Sequence, residues 1–317
     1  LSQVLSEKIY LGLKDLKILD HELSLIEKNN IKILSVYDDL YPTLLKNTYL
    51  PPAVLYIKGA DLEKDGLNIA LVGSRKANNY GYKVVNMLVP DLISREFTIV
   101  SGGAIGIDSM SHISALKNSG KTIAVIGSGL LRPYPSSNIK LFDEIIQKNG
   151  SIVSPFPLTF AAAPGNFPAR NRIISGLSQV CVVIQAAIKS GALITGHYAM
   201  EQGREVFAVP GHIDDELSAG CHKLISEGAN IFTSTQDIYN LFDVKDISKD
   251  FVKKSENASF IVKNFNYDNL GVSKKEHKAE LTLEDKIVQY CSKGITFDEL
   301  LLNFSVEFDK LQELLIS

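Results

Sequence analysis

Between residues 65 and 242 five short apolar runs recur: NIALVG, FTIVSG, KTIAVIG, SQVCVVIQA and EVFAVPG. Nearly every one ends in Gly or Pro-Gly, and amphipathic stretches of helical length separate them. Strands that are apolar on both faces and joined by helices predict an α/β fold with a parallel sheet covered on both sides. In such open sheets a ligand binds beyond the carboxyl ends of the strands. The loops there carry Gly73-Ser74-Arg75, Ser101-Gly102-Gly103, Gly127-Ser128-Gly129, the segment from Phe167 to Arg172, and Lys189-Ser190-Gly191.

The flanks read differently. Residues 1–45 contain LSEKIYLGL and HELSLIEKNN, whose apolar spacing predicts a small N-terminal helical domain. Tyr41-Pro42 and Pro51-Pro52 punctuate an extended connector into the core, taken as residues 46–242. Over 243–280 Lys, Asn and Ser dominate and helical periodicity is lost, which predicts a flexible Lys-rich linker. Residues 281–317 show three short amphipathic helices with a turn at Gly294, a partial winged-helix-like pattern without a wing.

Composition narrows the function. Cys181, Cys221 and Cys291 are odd in number and form no CxxC, against a disulfide framework or a cysteine zinc site. The six histidines have no HxxxH spacing, and no metal site or cofactor is expected. No apolar run is long enough for a membrane span, and the first twenty residues carry charges without a signal-peptide core. A cytoplasmic location is therefore expected. The net charge of −3 does not favour a nucleic-acid binder, but a whole-chain sum hides a local basic groove.

Gly at a strand-helix turn lets backbone N–H groups approach an anion, and the helix N-terminus adds a favourable dipole. SGGAIGID suits that chemistry but lacks the dinucleotide spacing; GSGLLR closes on Arg132 rather than Gly, and no acidic ribose partner follows. ALKNSGKT has Ala115 in place of the first P-loop Gly and ends a helix instead of opening one. Arg75 at a loop rim is either a phosphate contact or a surface ion-pair partner. Lys189-Ser190-Gly191 repeats the arrangement after another strand. Asp108 reads as a helix cap that would repel a phosphate placed on it.

In FPARNRIISGL, Arg170 and Arg172 are two apart, so on a helix they point in different directions. One can enter a groove while the other pairs with protein. Phe167, placed on a loop held by Pro164 and Pro168, either stacks on unpaired bases or staples the helix to the core. No catalytic set is evident. His112 lies four after Asp108, a spacing open to an acid–base pair or a structural hydrogen bond; Gln185 is an amide where a hydrolase places a carboxylate.

Taken together, YPTLLKNTYLPPAVLYIKG, GSR, SGGAIGIDSMSHISAL, TIAVIGSG with Tyr134-Pro135, FPARNRIISGLS, KSGALIT, GREVFAVPG and AGCHKLISEGA resemble the DNA-processing protein family DprA, also called Smf. The resemblance spans about residues 37–242. It implies a Rossmann-like doubly wound, mostly parallel core that binds single-stranded DNA without chemistry. It also implies a homodimer that protects incoming strands and helps load the RecA recombinase in natural transformation. By motif it assigns DNA contacts to Ser74, Arg75, Gly102, Gly103, Phe167, Arg170, Asn171, Lys189, Ser190 and Gly191. Three positions depart from the family pattern: Ile105 stands where many members have Arg, Gln185 for a common Glu, and Pro155 where Glu is usual. Two other readings compete. One is a LOG-like nucleotide phosphoribohydrolase, for which SGALITGHYAM offers Thr195 but no matching carboxylate. The other is a small-nucleotide sensor.

Overall fold

The computed structural model describes residue 12 and residues 16–242, all within one compact unit. The expected linker and winged-helix-like segment, and LSEKIYLGL apart from Gly12, lie outside the described residues.

HELSLIEKNN falls in helix α1 (Leu16–Lys28), which stops at the Asn29-Asn30 turn where Asn30 takes φ 51°. The helical expectation for residues 1–45 then fails at strand β1 (Lys32–Ser35), which pairs antiparallel with β2 (Val54–Gly59). The turn residues end the helix and free the next apolar pair for a sheet edge. Between them, TLLK forms the one-turn helix α2 (Thr43–Lys46) inside the segment read as extended.

All five apolar runs form strands: β3 (Asn68–Val72), β4 (Thr98–Ser101), β5 (Thr122–Val125), β7 (Val180–Val183) and β8 (Glu205–Ala208). Two more strands join them, β6 (Ser151–Ser154) and β9 (Asn230–Ile231). SIVS is short and begins and ends in serine, so no apolar run announces β6. Those serines satisfy loop carbonyls instead: Ser151 Oγ donates to Ala60 O and Ser154 Oγ to Ser128 O, both at 2.8 Å. Among the described residues the sheet order is β1-β2-β6-β5-β4-β3-β7-β8-β9, parallel from β6 to β9 and antiparallel at β1 and β2.

Strand alternation divides the core. Ile69 and Leu71 of β3 face helix α3 (Asn79–Ser94), which buries Val84, Val85, Leu88, Val89 and Leu92 as one stripe. Helix α4 (Ile107–Lys117) adds to that face, and α5 (Ile139–Gln147) covers the neighbouring strands. Ala70 and Val72 face the other way, toward α6 (Asn166–Gly176), α7 (Gly191–Glu201) and α8 (Glu216–Ser226). Burying one Leu or Ile side chain fully contributes about 1.5–3 kcal/mol, so this two-sided cover holds the sheet.

The order also locates a crevice. From β3 the chain runs outward through β4 and β5 to β6, then crosses back to β7 on the other side of β3. The helices leaving β3 and β7 therefore cover opposite faces. Loops diverge between those two strand ends, and α/β sheets of this kind bind ligands there.

Candidate nucleic-acid interface

A cavity of about 540 Å³ opens at this crevice. Its walls come from the loops after β3, β4 and β7 and from the first two turns of α6.

The loop after β3 is Gly73-Ser74-Arg75-Lys76. A side chain at Gly73 would press on Ile107, with Cβ 2.6 Å from Ile107 Cγ1. Ser74 is buried, and its Oγ accepts the Lys76 N–H at 3.0 Å. That turn leaves the Arg75 and Lys76 side chains exposed at the rim. Neither makes an ion pair among the described residues, and the Arg75 guanidinium lies 5.4 Å from the Phe167 ring centroid.

The loop after β4 is closed from below. Gly106, with φ 88°, packs against the backbone of Ser74 and Arg75, a conformation and contact only Gly accommodates. Gly102 lies between two charges: a Cβ there would be 2.7 Å from both Arg170 Cζ and Asp108 Oδ2. Arg170, only 4% exposed, donates from Nη1 to Gly102 O and to Val125 O. Burial lowers its pKa to about 10; Asp108 opposes the shift and Arg75 adds to it, leaving the guanidinium charged at neutral pH. Asp108 does not cap its own helix. The N-cap of α4 is Gly106, and the Asp108 carboxylate accepts backbone N–H groups of Ala104, Gly102 and Gly73. Burial pushes the Asp108 carboxyl up, against the pull of Arg170 and those N–H groups.

Phe167 sits in the first turn of α6, not on a preceding loop, because Pro168 is tolerated where the first turn needs no intrahelical N–H partner. Its half-buried ring is 5.8 Å from the Tyr134 ring and 5.8 Å from the Arg170 guanidinium. Arg172 faces away from the cavity and donates to Tyr49 O at 3.3 Å. Asn171 donates to Gly191 O at 3.2 Å, tying α6 to the start of α7. Ser190 caps α7 by accepting the Ala192 N–H at 3.2 Å, and Lys189 projects at the rim without an ion pair among the described residues.

The sequence-predicted residues thus converge in two layers, except Gly103, which packs against Phe142 and lines neither the cavity nor its neighbouring recess. Arg75, Lys189 and Gly191 are exposed, with Ser190 and Phe167 half-buried beside them; Ser74, Gly102, Arg170 and Asn171 lie buried beneath. Sequence reasoning missed Lys76 and Tyr134. Lys76 directly follows Arg75, and Tyr134-Pro135 closes a glycine loop, so both had a positional signal. Three exposed cations, Arg75, Lys76 and Lys189, face the single exposed carboxylate of Glu216 at the rim. This local excess of positive charge is the reverse of the chain's net −3.

The Asp108–His112 pair is not an acid–base unit. His112 Nδ1 lies 2.7 Å from Thr122 Oγ1, whose proton goes to Ile99 O, so Nδ1–H is the donor. Burial, helped by Arg170, lowers the imidazole to about 3 and keeps it neutral. Gln185 is buried and braces Asn78, the N-cap of α3, through bonds of 2.9 and 3.2 Å. Thr195 is buried in the cavity wall. Among the described residues no group of three His, Cys, Asp or Glu side chains is placed to hold a metal ion. No helix among them is long and apolar enough to cross a membrane.

Fold and site together define a Rossmann-like α/β protein whose switch-point cavity is rimmed by three exposed cations. Residues 32–243 match the family described as DNA recombination-mediator protein A, and the chain belongs to that family. It is 43% identical to the DNA processing protein DprA of Bacillus subtilis over 218 residues, 68% of this chain and 73% of that protein. With DprA of Streptococcus pneumoniae it shares 46% over 215 residues, 66% and 73% of the two chains. The solved structure of the S. pneumoniae protein superposes with a TM-score of 0.62 at 42% identity, covering 68% of this chain and 77% of that one. DNA processing protein A of Helicobacter pylori, whose structure describes a unique single-stranded DNA binding mode, gives 0.59 at 30% identity over 68% and 96%.

Proposed function

We propose that this chain is a recombination mediator that binds single-stranded DNA in the switch-point cavity. One observation carries the reading: three cations without ion pairs among the described residues and a half-buried aromatic surround a glycine-lined cavity at the carboxyl edge of the sheet. Phosphates meet Arg75, Lys76, Lys189 and the N-terminal end of α7, and bases stack on the aromatic side. Ser74, Gly102, Arg170 and Asn171 shape the backbone that the strand approaches, with Gly103 supporting the loop from behind. The H. pylori relative's single-stranded DNA binding supports the assignment. We extend the reading to a cytoplasmic homodimer that shields incoming strands and helps load RecA in natural transformation. The protein works by binding, without a catalytic step: the two carboxylates lining the cavity are Asp108, committed to backbone N–H groups, and Glu216, in the first turn of α8.

Fluorescence anisotropy with labelled single-stranded and duplex oligonucleotides of increasing length tests this. Single strands bind more tightly, with affinity that rises with length and falls steeply with salt. Lys189→Ala lowers the slope of log affinity against log salt by about 0.7, the share of one phosphate contact on a single strand. Saturation by a mononucleotide with no length dependence would favour the nucleotide-sensor reading, since a cavity of about 540 Å³ has the size of a small-ligand site.

A further inference from the structure

Beside the main cavity, on the far side of Arg75, lies a shallow recess of about 30 Å³ lined by Ile105, Tyr134, Pro135 and Phe167. Arg75, Ala104, Phe167 and Arg170 belong to both hollows. The recess wall is apolar where the cavity rim is cationic. Tyr134 is 46% and Ile105 53% exposed, so an aromatic ring and a branched aliphatic chain stand open to solvent next to an exposed guanidinium. The Tyr134 and Phe167 planes meet at 53°, so the two rings touch without covering each other's faces.

The rim is also held in place. Asn138, four residues past Tyr134, donates from Nδ2 to Gly103 O at 2.8 Å and to Ser109 Oγ at 2.7 Å. These bonds join the segment carrying Tyr134 to the loop carrying Ile105. That loop is fixed in turn by the Ile107 N–H on Ser74 O and by the tight seat of Gly106. Two apolar groups brought together by a polar brace form a prepared surface.

We propose that the Tyr134–Ile105 rim is a nucleobase-stacking subsite, in which an unpaired base lies on Tyr134 and against Ile105 while its own phosphate meets Arg75. The inference rests on the single-strand reading and extends it to Tyr134 and Ile105. The recess is too small to admit a base, so the base lies flat across it and its edges stay in water. Stacking of that kind accepts any base. It also rejects a duplex, where each base face is already covered by its neighbours.

The test compares the full chain with Tyr134→Ala, Tyr134→Phe and Ile105→Ala on two probes of equal phosphate number. One is an oligothymidylate of about 20 nucleotides, and the other has abasic residues throughout. Tyr134→Ala weakens oligothymidylate binding about 5- to 100-fold, the range for one lost base stack, and leaves abasic binding within about twofold. Ile105→Ala weakens it less, in the same selective way, and Tyr134→Phe restores it. Equal losses on both probes, or none on either, overturn the subsite while parent binding to oligothymidylate leaves the single-strand reading standing. Failure of the parent to bind either probe removes both.

Discussion

Arg75 and Arg170 both approach one phenylalanine ring, 5.4 and 5.8 Å from its centroid, and do opposite work. Arg170 is buried, and its charge is spent on two strand-end carbonyls and on the facing Asp108. Arg75 is exposed and has no ion pair among the described residues. The difference shows how a recognition site divides its cations. A buried guanidinium fixes loop geometry, because each of its bonds replaces water that cannot enter. An exposed one stays open to a ligand, because no carboxylate among the described residues pairs with it.

Removing the buried charge breaks the comparison most severely. Arg170→Ala takes the facing cation from buried Asp108 and the donor from two carbonyls, and we expect a loss of about 3–5 kcal/mol in unfolding free energy. Urea denaturation reads this directly, and a loss under about 1 kcal/mol would show that Arg170 is not holding the loop.

His112 offers a smaller effect from the same buried layer. Its imidazole stays neutral when folded, with a pKa of about 3, and takes up a proton near pH 6.5 once unfolded. Its contribution is therefore complete above pH 6.5 and is lost as pH falls toward 3. At pH 5 the cost is about 2 kcal/mol. His112→Asn, which keeps a donor for Thr122, flattens the stability profile between pH 7 and 5; an unchanged profile counts against the assignment.

Arg75→Ala gives the smallest change in stability, within about 0.5 kcal/mol, yet reduces single-strand affinity about tenfold. Its salt slope drops by about 0.7. If melting and binding fell together, the contrast between the two arginines would not hold.

The sheet was legible wherever an apolar run exceeded the surrounding polarity, as in NIALVG and SQVCVVIQA. It was not legible in SIVS, where serines end the strand and bond across loops. The rim residues Arg75 and Lys189 could be placed from position alone, since the end of a strand fixes where the next loop lies. The depth of Arg170 could not. It depends on an absent side chain at Gly102 and a carboxylate at Asp108, more than sixty residues away in the chain. Periodicity within α6 carries no trace of either. Asp108 was misread for the same reason: a local rule placed it at its own helix start, and the neighbouring loops claimed it.

The crossover from β6 to β7 has a consequence for synthesis. Everything on the β3 and β4 side of the cavity is complete by Asp108, but the opposite wall needs α6, α7 and the start of α8 through Leu217. A nascent chain therefore has no complete cavity until residue 217 has left the ribosome and β7 has docked beside β3. On the proposed reading, a DNA strand lying across that seam would fasten the early-made half of the sheet to the late-made half, a clasp on the finished protein.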